Sequence, residues 1–121
     1  MIESQTITVQ TEFDVFMARM QVRKLARAIG FDITNQARVA LATSSLARAL
    51  SLGERYQGQV IIDCMDERGR SGVRVICRAI HNDDFEVGAR MFTDVKWLVD
   101  ELTVEDLSSN QLQVTLVKWV A

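Results

Sequence analysis

Proline is absent from this 121-residue chain, and nothing in the sequence accounts for its absence. Histidine occurs once, at His81, which rules out a histidine-based metal cluster. Cysteine occurs twice, at Cys64 and Cys77, without C-x-x-C spacing, so two reduced thiols in a cytosolic chain are the expectation. No apolar run approaches the roughly 18 residues that a membrane span needs. No basic segment followed by an apolar stretch opens the chain, so a signal peptide is not expected and the localisation reads as cytoplasmic. Charge of neither sign dominates. Fourteen Lys and Arg against sixteen Asp and Glu give a formal net charge of -2, which lacks the basic footprint of a nucleic-acid binder. A G-x-S-x-G elbow is missing as well, so a triad drawn from Ser44 or Ser45, His81 and Asp83 has no support. Internal repeats and low-complexity segments are not found.

What is present is ordinary for a globular domain. Hydrophobic residues make up 48% and charged residues 25%, enough for one domain spanning 1–121 with a substantial core. The charges are unevenly spread, however. Arg19, Arg23, Lys24, Arg27, Arg38, Arg48 and Arg55 precede Gly58, whereas Asp83, Asp84, Glu86, Asp94, Asp100, Glu101, Glu105 and Asp106 cluster later. This segregation fits two solvated helix faces of opposite sign, or a polar partner surface whose field steers association.

In chain order, Thr6–Val9 reads as a short strand. Thr11 suits a helix N-cap, with Asp14 near the positive dipole end. Val15, Ala18, Val22, Leu25 and Ile29 then recur at spacings of three and four, and Gly30 is placed to terminate that helix. A second helix starts at Thr34, with Val39, Thr43, Leu46 and Leu50 as its apolar stripe. Gly53 and Gly58 bracket a loop. Gln59–Met65 and Val73–Ile80 read as hairpin strands joined by a polar turn, Asp66–Gly72. Val60, Ile62, Cys64, Val75, Cys77 and Ala79 face inward and Arg74 and Arg78 outward, which puts Cys64 near Cys77. Asp83 or Asp84 caps a third helix running to about Leu102, striped by Val87, Met91, Val95, Leu98 and Leu102. Thr103–Leu107 and Gln111–Val120 are the last strands, with Trp97 and Trp119 as core or interface aromatics. The order β-α-α-β-β-α-β-β argues an α+β fold, with helices on one face of a mixed or antiparallel sheet.

The segment from Val22, VRKLARAIGF…QARVALATSSLARAL, resembles the anti-sigma factor and serine-kinase branch of the GHKL ATPase superfamily, as do VKWLVDEL from Val95 and VTLVKW from Val114. The resemblance implies a two-layer sandwich of the Bergerat type, with about five strands and three helices on one face. It also implies where chemistry belongs. The second helix of the family carries a Glu and an Asn four residues apart, hence on one face. The Asn ligates Mg²⁺ that bridges nucleotide phosphates, and the Glu acts as a base toward the attacking hydroxyl. Here those positions are Ser45 and Ala49, with Arg48 retained. The family's DxGxG motif falls at Ala79-Ile80-His81-Asn82-Asp83, without its Asp or glycines, and of the Gly-rich lid only Gly88 remains.

The leading expectation is therefore a protein that keeps the scaffold without catalytic, ATP or metal sites. Its vestigial pocket is traced by Ser45, Arg48, Ala49, Ala79, His81, Asp83 and Gly88. What the resemblance implies for partners is a sigma factor, a STAS-domain antagonist or a phosphatase in bacterial partner switching, and a possible homodimer. Arg19, Arg23 and Arg27 are the candidate partner contacts. The alternatives are an active ATP- and Mg²⁺-dependent serine kinase with an atypical site, and a sensor that takes an apolar small molecule in the vestigial pocket.

Overall fold

The computed structural model describes residues 4–81, 87–88, 90–108 and 110–120. Five strands and three helices follow the order β1 (Gln5–Val9), α1 (Glu12–Ala28), α2 (Ile33–Ala49), β2 (Gln57–Glu67), β3 (Arg70–Ile80), α3 (Thr93–Lys96), β4 (Glu101–Ser108) and β5 (Gln111–Trp119). The sheet order is β1-β2-β3-β5-β4. Every pairing is antiparallel, so the mixed alternative does not hold. Helices α1 and α2 pack as a pair against one face of the sheet, with α3 against α2.

Helix α1 starts where the Asp14 carboxylate turns back to accept the amides of Gln10 and Thr11 at 2.9 and 3.1 Å. Those bonds hold the Asp14 pKa below its usual value. The helix ends at Gly30, whose φ of +103° is the left-handed geometry that glycine adopts at low cost. Helix α2 is capped by Asp32 and not by Thr34. The Asp32 carboxylate accepts the Asn35 amide at 2.8 Å, which puts Thr34 inside the first turn.

Most of α2 is core. Gln36, Val39, Ala40, Ala42, Thr43, Ser44, Leu46 and Ala47 are all buried. Its small side chains let α1 and the sheet come close, because interaxial distance follows side-chain size at the contact. Val60, Ile62, Val73, Val75, Cys77, Val114 and Leu116 form the floor beneath, alternating along β2, β3 and β5 as a half-covered sheet requires. On the opposite face Arg74 and Asp63 face each other across the hairpin. Arg74 Nε donates to the Asp63 carboxylate at 2.9 Å, and Arg78 reaches Gln113.

The hairpin is longer than its polar turn suggested. Only Arg68 and Gly69 turn, with φ of +53° and +79°, and pairing runs through Asp66, Glu67, Arg70 and Ser71. Gly58 lies inside β2 and not at a loop edge. A Cβ there would strike the Arg78 carbonyl and the Leu52 side chain. The register also separates the cysteines: Cys64 faces Val73 and Cys77 faces Val60, four places apart along the ladder. They are not cross-strand neighbours.

The largest departure is α3. The expected helix from Asp83 or Asp84 to Leu102 is one turn among the described residues, Thr93–Lys96, and the proposed caps lie outside them. The chain leaves the helix because Asp100 is claimed by the sheet. Its amide donates to the Val117 carbonyl at 2.9 Å, its carboxylate accepts the Trp119 amide at 2.7 Å, and β4 begins at Glu101. Phe92, not assigned to the core from its spacing, is 4% exposed.

Truncating Leu46, fully buried on α2, to Ala costs about 2–5 kcal/mol. The same change at Leu41, 43% exposed on the same helix, stays within about 0.5 kcal/mol. Urea unfolding midpoints of the two variants check this ordering.

Candidate functional site

Ser45, Arg48 and Ala49 lie on the exposed side of α2, toward its C-terminus. Each is displaced from the buried stripe by about a quarter to half a turn. Ser45 and Ala49 are half-buried because α3 lies beside them. Together with Met91, Asp94 and Val95 these three residues enclose a pocket of about 220 Å³. That is below the roughly 300–1,000 Å³ typical of small-molecule sites.

The chemistry on offer there is thin. It comprises a neutral hydroxyl at Ser45, a methyl at Ala49, the guanidinium of Arg48, and one carboxylate, Asp94. Asp94 was not among the expected site residues, since its sequence neighbourhood reads only as part of an acidic stretch. Among the described residues no three His, Cys, Asp or Glu side chains come together as a metal site.

Of the remaining motif positions, the described ones, Ala79, His81 and Gly88, do not line this pocket. Ala79 is 1% exposed and sits in β3 between Gly58 of β2 and Leu112 of β5. His81 is buried on the far end of β3. Its amide donates to the Asn110 carbonyl at 2.9 Å, and its ring stands edge-on to Tyr56 at 6.2 Å. Gly88 is exposed, and Asp83 lies outside the described residues. Of the six described positions expected to trace the pocket, three line it together: Ser45, Arg48 and Ala49.

Arg19, Arg23 and Arg27 are all exposed on α1. Among the described residues none of them forms an ion pair. Of the later acidic residues that the structure describes, Asp94 lies on α3, and Asp100 and Glu101 lie at the start of β4. Asp100 and Glu101 are bound to Trp119, whose indole N–H donates to Glu101 at 2.8 Å beneath the guanidinium of Arg70. Trp119 is thereby fixed within the domain at 7% exposure, whereas Trp97 is 85% exposed and belongs to no core.

Fold and pocket together describe an α+β domain with a helix pair over a five-stranded antiparallel sheet, and a small pocket between α2 and α3 that is poor in ligating groups. No protein-family model matches the chain. The chain is homologous over its whole length to "Serine/threonine-protein kinase RsbT" of Bacillus subtilis (strain 168). Identity is 27% over an alignment of 133 positions, gaps included, covering 99% of each chain. That similarity supports a kinase-like regulatory relative and agrees with the resemblance carried by α1 and α2.

The two thiols give a direct check on the packing. Cys77 is completely buried, and desolvation pushes its pKa up to about 12. Cys64 is only partly buried. In native protein at mildly alkaline pH a chromogenic disulfide reagent should modify at most one thiol quickly, because the thiolate is the nucleophile. Cys64→Ser should abolish that fast phase, and Cys77→Ser should leave it intact.

Proposed function

We propose that this chain is a GHKL-type, kinase-like regulatory protein of a partner-switching pathway, acting as a protein-binding domain that no longer binds ATP. One observation carries the reading: the α2 face that holds magnesium in the family presents Ser45 and Ala49 to a pocket of about 220 Å³. An Mg²⁺ ion needs oxygen ligands in near-octahedral array. Asp94 and the Ser45 hydroxyl are the oxygen-bearing side chains around this pocket, and Arg48 adds positive charge to it.

Burial of Ala79 supports the same conclusion. An ionised carboxylate at that position, 1% exposed and opposite Leu112, would be stripped of water at a high desolvation cost. The whole-length similarity to a serine/threonine kinase supplies the regulatory setting. A sigma factor, a STAS-domain antagonist or a phosphatase is the kind of partner that the resemblance implies. Arg19, Arg23 and Arg27 are its candidate contacts. A homodimer belongs to this reading too, and the uncovered sheet face, where Ile61 and Ile76 lie side by side, is a surface for it.

Asp94 favours a second reading, an active kinase with a relocated acidic ligand on α3. A thermal-shift titration with ATP and Mg²⁺ separates the two. A ligand at one hundred times its Kd stabilises by about 2.7 kcal/mol, several degrees for a domain this size. No shift at millimolar nucleotide is expected. A saturating shift that Asp94→Asn removes would establish the kinase reading instead.

A further inference from the structure

The exposed apolar surface is concentrated on the helix pair. Phe13, Phe16, Met20, Ile33 and Leu41 are five of the ten large hydrophobic side chains left exposed among the described residues. Phe13, Phe16 and Met20 recur at spacings of three and four on α1, opposite its buried Ala18, Val22, Leu25 and Ala26. The same outer stripe continues into Arg23, Lys24 and Arg27, all exposed and without an ion-pair partner among the described residues. The face is therefore apolar along its first half and cationic along its second. From Phe13 to Arg27 it extends about 21 Å. At the cationic end it is concave: Met20, Arg23, Lys24, Arg27, Ile33 and Gln36 line a groove of about 540 Å³.

We propose that this face docks an amphipathic helix of a partner protein, one whose apolar anchors meet Phe13, Phe16 and Met20 and whose carboxylates meet Arg23, Lys24 and Arg27. The proposal rests on the reading of the chain as a protein-binding domain, and names the chemistry of its partner. Charge complementarity selects the acidic half, because unpaired guanidinium groups beside apolar surface gain most from carboxylates brought out of water with them. The spacing selects a helix, since a partner helix lays anchors three and four residues apart along such a stripe. An anionic membrane is the less suitable occupant. An interfacial helix separates apolar from basic residues around its circumference, whereas α1 separates them along its length.

The test uses the full chain and a labelled helix-forming peptide of about fourteen residues, matched to the length of the stripe. The peptide carries Leu anchors in one half and Glu in the other, and a second version has Lys in place of Glu. Anisotropy should show saturable binding of the acidic peptide, weakened about tenfold or more by Met20→Glu and by the Arg23→Glu/Arg27→Glu pair. The paired variant should in turn bind the Lys peptide better than the native chain does. These are surface changes, and thermal unfolding of each variant confirms the fold. Equal binding of both peptides, no binding of the acidic peptide, or binding to phosphatidylserine vesicles in place of the peptide would each overturn the proposal. The nucleotide shift is read on the same samples. A peptide failure without a nucleotide shift removes the docking face alone, and a nucleotide shift removes the reading beneath it.

Discussion

The structure depends on how closely α2 is buried. A helix built from Ala, Ser, Thr, Val and Leu offers no bulky group to hold its neighbours away, so α1 comes in on one side and the sheet beneath. Leu46 and Leu50 belong to the same buried cluster as Val75, Cys77 and Val114, all without solvent exposure. Dense packing of this kind leaves few adjustable voids and makes the position of every α2 side chain a consequence of the core. The orientation of Ser45, Arg48 and Ala49 is thus fixed by residues on the other side of the helix.

The same constraint explains the state of the pocket. In a nucleotide-binding relative that side of α2 must stay open and polar. Here Phe92 and Val95 are buried beside it, Met91 lines it, and Ala79 is sealed between two neighbouring strands. On the proposed reading these features act together: position 49 offers a methyl and no metal ligand, position 79 a methyl and no carboxylate, and apolar side chains occupy volume nearby. Among the described residues the outer surface of α1 stays exposed, with Arg19, Arg23 and Arg27 outside any ion pair. On the proposed reading, recognition on that surface would not depend on nucleotide chemistry.

Much of this was legible in the residues, and the misses have physical reasons. The helix pair was readable because Val15, Ala18, Val22, Leu25 and Ile29 hold one period and Gly30 interrupts it. Asp32 and Thr34 are both good caps, and spacing alone does not choose between them; the carboxylate two residues earlier wins the Asn35 amide. The third helix was overextended because Val87, Met91, Val95, Leu98 and Leu102 fit a helical stripe. Hydrogen bonds from Asp100 to β5, a tertiary effect, end it early. The long hairpin was hidden by Asp66, Glu67, Arg70 and Ser71, whose polarity resembles a turn although two left-handed residues suffice. That Ser45 and Ala49 share one face of α2 was legible from their spacing of four. Asp94 was not, because only the fold of α3 against α2 brings it there. Nor was the apolar half of the α1 face, since residues that fall off a buried stripe carry no signal of being exposed together.

The most direct measurement of the central claim is residue-resolved. A ¹⁵N–¹H spectrum of the chain titrated with magnesium–ATP reports separately on Ser45, Ala49, Asp94 and Val95. The account predicts that these amides stay where they are at millimolar nucleotide. Saturable movement of those four signals, reversed by chelating the metal, would contradict it.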